Sequence, residues 1–122
     1  MNGAASVWLL NSSAVFQGQA VYGPIGGWVA VDVTVGNDNL TRVLWANAGA
    51  NAAALWKLNA SLGVSATTVY GGSTLAGWQV QSITAGSDGL LRMEWNFTDG
   101  EAALWLLGAD GSFQSAGVFG PF

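Results

Sequence analysis

The sequence predicts an all-β fold of antiparallel four-stranded meander repeats, and three observations point to it. One tryptophan-bearing phrase occurs three times, as ASVWLLNSSAVFQGQAVYG at 5–23, AALWKLNASLGVSATTVYG at 53–71 and AALWLLGADGSFQSAGVFG at 102–120, with Trp8, Trp56 and Trp105 lying 48 and 49 residues apart. The phrase between them, GWVAVDVTVGNDNLTRVLWAN, returns as GWQVQSITAGSDGLLRMEWNF with Trp28, Arg42 and Trp45 each displaced by 50. Within every copy, short β-rich runs are separated by clusters of Gly, Asn, Asp and Ser, and no window has a helical pattern. A repeat of this length implies modules that bury their apolar faces on one another.

The elements follow in order. A strand pair is expected near 5–10 and 15–22, then four strands near 28–35, 41–47, 53–58 and 65–70, then four more near 78–85, 91–97, 102–107 and 113–119. The turns GNDN at 36–39, GSDG at 86–89, TDGE at 98–101 and GADG at 108–111 carry residues that tolerate positive φ, as tight hairpins require. Consecutive strands should therefore pair antiparallel. Run 29–35 alternates, with Val29, Val31, Val33 and Val35 on one side and Ala30, Asp32 and Thr34 on the other. Its copy keeps Ile83 but has Gln79 and Gln81 at valine positions. A two-residue turn at Asp99 and Gly100 would set Trp95 opposite Leu104 and Glu94 opposite Trp105, giving Arg92, Glu94 and Trp105 a common face.

Composition narrows the function classes. Charged residues make up 8% of the 122 and hydrophobic ones 51%, so some apolar surface is expected to meet another subunit. Arg42, Lys57 and Arg92 are the only basic residues against seven acidic ones, which leaves no patch to neutralise a phosphate backbone; no nucleic-acid partner is expected. Cysteine and histidine are absent, removing the commonest thiol nucleophile, general base and metal ligands, so neither an enzyme nor a cofactor nor a metal site is expected. No membrane insertion is expected either, since nowhere do about 18 apolar residues run together. The Asn-X-Ser/Thr matches at Asn11, Asn39, Asn59 and Asn96 read as turn and strand residues, and nothing points to a compartment.

A four-stranded meander joined to the next by YGPIGGW or YGGSTLAGW resembles a β-propeller blade. The phrase GWVAVDVTVGNDNLTRVLWANAGANAAALWKL is similar to the tryptophan-rich blades of bacterial repeat propellers and, more loosely, to lectin propellers of the tachylectin and tectonin type. The resemblance implies one repeat domain over 1–122, made of a half blade at 4–23 and blades at 27–71 and 77–120. It further implies a homo-oligomer in which more than one chain contributes blades. Two chains would bring the same surplus half rather than complementary halves, so a ten-stranded barrel or sandwich made from one chain stands as the alternative. Unpaired edge strands also allow an open-ended fibre.

The functional expectation is a lectin-like, carbohydrate-binding protein with repeated shallow aromatic sites; the alternative is a self-assembling structural or interaction module without a small ligand. Trp8, Trp56 and Trp105 recur in one setting and read as packing between modules. Trp28 and Trp78 follow glycines at module entries and are the candidate ring platforms, with Tyr22 and Tyr70 just before Gly and with Arg42 and Arg92 as polar neighbours. Arg92 reads as the partner of Glu94, whereas Leu44 replaces that glutamate in the first copy and leaves Arg42 free for a ligand. Asp38 and Asp88 read as caps of backbone amides in their turns.

Overall fold

The computed structural model describes residues 3–122 and contains ten strands: β1 (Ala5–Leu10), β2 (Phe16–Tyr22), β3 (Val29–Val35), β4 (Thr41–Asn47), β5 (Ala52–Leu58), β6 (Val64–Gly71), β7 (Trp78–Ala85), β8 (Leu91–Phe97), β9 (Ala102–Leu107) and β10 (Phe113–Phe119). Every strand falls where the alternation and the turn residues place one. They form three antiparallel sheets, β1-β2, β3-β4-β5-β6 and β7-β8-β9-β10, each strand pairing with its sequence neighbour. The single-chain barrel is not formed: the glycine-containing linkers 23–28 and 72–77 interrupt the ladder, and no sheet closes on itself.

One turn type recurs through the chain. In the turns opened by Asn11, Gly36, Asn59, Gly86, Phe97 and Gly108, the first residue's amide bonds the carbonyl four residues on, and its carbonyl accepts from the amide three residues on. Three residues thus form the loop, the last in the left-handed region, where Ala14, Asn39, Leu62, Gly89, Gly100 and Gly111 sit. An Asn or Asp side chain caps each loop: Asn11 and Asn59 each accept from two amides, while Asp38, Asp88, Asp99 and Asp110 accept from those of Leu40, Leu90, Glu101 and Ser112.

This geometry corrects the register expected for the last hairpin. Because the loop holds three residues rather than two, Trp95 pairs with Ala103, Glu94 with Leu104 and Met93 with Trp105. Trp105 therefore shares the face of Trp95, their ring centroids 5.0 Å apart, and Arg92 and Glu94 share theirs with Leu104.

The sheets stack face to face in chain order. Val43, Trp45, Ala54, Leu58 and Leu62 of the second sheet pack against Ala5, Val7, Leu9, Ala20 and Tyr22 of the first. Its other face, through Leu44, Ala53, Leu55 and Tyr70, packs against Val80, Ile83, Leu91, Met93 and Trp95 of the third. The first strands of the two larger sheets lie side by side, with the Asp32 carboxylate accepting from the Ile83 amide at 2.8 Å and the Thr34 hydroxyl from the Ala85 amide at 3.2 Å. The valine row of β3 is exposed on the opposite side.

Candidate functional site

Of the six candidate residues, four are engaged in holding the modules together or their own turns in place. The Tyr22 hydroxyl leaves the first sheet and donates to the Leu62 carbonyl in the β5–β6 turn, its ring meeting Trp56 edge-on at 5.6 Å. One repeat later the Tyr70 hydroxyl donates to the Gly111 carbonyl in the β9–β10 turn, and its ring meets Trp105 at 6.0 Å. Burial raises the Tyr22 phenol above its ordinary value and pushes Tyr70 up to about 12, since the charged form has no water to solvate it.

Arg42 is 1% exposed, which overturns the expectation that the absence of a glutamate frees it. Its fork is bidentate on Asp38 at 2.5 and 2.8 Å, and its Nη2 also donates to the Ala109 carbonyl of the third sheet at 2.9 Å. Gly36 is needed for this: a Cβ there would stand 2.2 Å from Arg42 Nη1. The fork holds the Asp38 carboxyl well below the usual range. Arg92 repeats the arrangement on Asp88, both contacts 2.8 Å, rather than pairing with Glu94, which accepts from Ser82. A carboxylate four residues back, already aimed by its turn, matches the planar fork. Among the described residues no further sheet covers Arg92, and its side chain is 35% exposed.

The two tryptophan platforms diverge. Trp78 packs against Phe97 with centroids 5.0 Å apart, filling the space beside it. At the matching place in the second sheet stands Asn47, whose side chain instead caps the turn at Ala48–Ala50. Trp28 also borders a cleft of about 200 Å³, lined with it by Ile25, Trp45, Trp56, Thr67 and Val69. Thus Trp28 lines this cleft, whereas the Trp78 ring lies against Phe97. Trp45, Trp56, Thr67 and Val69 are not among the residues the sequence singles out for a site, because their meeting depends on pairing across β4, β5 and β6.

A larger groove, about 670 Å³, runs between β1 and the face of β3 and β4, bordered by Trp8 and Leu10 and floored by Val33, Val35, Thr41 and Val43. Among the described residues no group of three or more His, Cys, Asp or Glu is placed to hold a metal, and no helix is long and apolar enough to cross a membrane.

No protein-family profile and no curated protein matches this chain. The fold is similar to that in a crystal structure of a protein of unknown function from Bacteroides caccae, with a TM-score of 0.59 at 12% identity. The match covers 91% of this chain and 36% of that one, so this chain spans well under half of that protein's length.

Proposed function

We propose that this chain is a self-associating structural module of propeller type, in which the three sheets act as blades and the open faces at the two ends of the stack join further copies. The observation that carries the reading is at the outer face of the third sheet. Leu104 and Phe119 are exposed there, whereas their counterparts one repeat earlier, Leu55 and Tyr70, are buried against the following sheet. At the opposite end Leu10 is 53% exposed while its counterparts Leu58 and Leu107 are fully covered. Covering one such leucine contributes about 1.5–3 kcal/mol.

The two end faces differ, so their joining is head to tail and yields a ring if the rotation closes, a fibre if it does not. Native mass spectrometry and light scattering over a concentration series test this. A discrete oligomer or a growing fibre is expected, and Leu104→Lys or Phe119→Lys, at exposed positions that leave folding intact, should convert it to monomer. A wild-type chain that stays monomeric at high concentration sinks the reading.

A second reading, carbohydrate binding, is supported by the Trp28 cleft, whose aromatic walls suit the apolar face of a sugar ring. Under it, Trp28→Ala abolishes binding in a glycan screen and Trp78→Ala leaves it intact. A silent screen counts against it.

A further inference from the structure

The groove beside β1 has the form of a missing pair of strands. Trp8, Trp56 and Trp105 make β1, β5 and β9 counterparts. On one edge β5 carries β4 and then β3, and β9 carries β8 and then β7; β1, among the described residues, pairs with β2 alone. The floor tells the same story. Val33 and Val35 are exposed, yet their counterparts Ile83 and Ala85 pack against the preceding sheet; beside them Thr41 and Val43 are buried, as are their counterparts Leu91 and Met93.

We propose that this groove is an acceptor for a two-stranded β-hairpin of the pattern seen in β3 and β4, whose second strand adds to the open edge of β1 while its first runs beside β3. The register follows from the two filled copies. Val43 pairs with Trp56 and Met93 with Trp105; Trp45 pairs with Ala54 and Trp95 with Ala103. Carried over to β1, an aliphatic residue of the guest lies opposite Trp8 and a tryptophan opposite Ser6. That indole packs at a tilt against Trp8, as Trp45 does against Trp56 at 4.8 Å and Trp95 against Trp105 at 5.0 Å.

The first guest strand has a requirement of its own. Asp32 and Thr34 of β3 accept the amides of Ile83 and Ala85; of the counterparts beside the groove, the Val33 amide already donates to the Asp32 carboxylate of its own strand at 2.8 Å, and that of Val35 is the one a guest hydroxyl would meet. The fitting guest therefore alternates β-branched residues around one that bears a hydroxyl, turns through a capped three-residue loop and returns with a tryptophan. A second copy holds its own hairpins of this kind inside its sheets, so those of a folded copy are not the guest. Main-chain bonding supplies affinity and the alternate side chains supply specificity. The inference goes beyond the joining of end faces, and it stands on the open edge of β1 rather than on Leu104 and Phe119.

The probe is a synthetic peptide of residues 27–47, which carries every feature named. It is titrated into the isotopically labelled chain bearing Phe119→Lys, so that end-face association does not enter. Saturable one-to-one binding is expected, with amide shifts and slowed hydrogen exchange in Ser6–Leu10. Placing Val33→Lys in the chain, or Leu44→Pro in the peptide, should weaken binding by about tenfold or more. The proposal is overturned by no binding, by shifts confined to β10 or another edge, or by binding that is indifferent to both substitutions. A chain that fills its own groove by exchanging hairpins between copies also overturns it, and the mass of the complex reveals that.

Discussion

The phenol of Tyr70 donates to the carbonyl of Gly111 across the boundary between two sheets, repeating the bond that Tyr22 makes to Leu62. At the third equivalent position stands Phe119, exposed and without a hydroxyl. Tyr70→Phe leaves the Gly111 carbonyl without its donor and should lower stability by about 1–2 kcal/mol. Tyr22→Phe, nearer the solvent, should cost less. Urea unfolding of the two variants ranks them, and equal costs would contradict this account of burial.

The same phenol sets an alkaline limit. Its value rises from 10.0 in the unfolded chain to about 12 in the fold, with burial as the main cause and the Thr68 hydroxyl opposing. Between these values the unfolded state has lost its proton and the native state keeps it, so the stabilisation is complete below pH 10 and is lost as pH rises toward 12. Chemical denaturation from pH 8 to 11 should show the fall, and Tyr70→Phe should flatten it.

The aspartates set the acid limit with the opposite sign. Hydrogen bonding from Arg92 holds Asp88 at about 2, against an ordinary 3.8, and Arg42 lowers Asp38 further. Their stabilisation is present above about pH 4 and disappears as pH falls through the folded values. Asp38→Asn should remove more of this acid dependence than Asp88→Asn, because the Arg42 it leaves is buried.

Arg42 and Arg92 also separate by direct loss. Asp38→Ala strips the charge-assisted bonds from a buried guanidinium and should cost about 2–3 kcal/mol, whereas Asp88→Ala beside a partly exposed one should shift the midpoint far less. Paired denaturation curves check the order.

Trp45 and Trp95 are each 1% exposed and pack at a tilt against the next strand's tryptophan, while Trp8 is 60% exposed. Trp95→Ala should cost about 3–5 kcal/mol. Trp8→Ala should leave stability nearly unchanged and remove the emission most open to iodide quenching.

Much of the fold was legible locally. The strands came from alternation over five to eight residues and the turns from Asn, Asp and Gly, because both rest on sterics and hydrogen bonds within one hairpin. Loop length was harder: TDGE reads equally well as a two-residue or a three-residue turn, and choosing wrongly moved Trp105 to the other face. The site was less legible still. Tyr22, Tyr70 and Arg42 have the residue types of a ligand site, and the groups they bond are carbonyls in turns 40, 41 and 67 residues away.

By itself, then, the sequence determined the period, the strand order within each meander and the turn chemistry, all of which act over a few residues. Only the tertiary structure decided which copies of a residue meet another module. Arg42 and Arg92, or Leu55 and Leu104, have the same local setting and opposite exposure, because burial depends on whether a neighbouring sheet is there to exclude water.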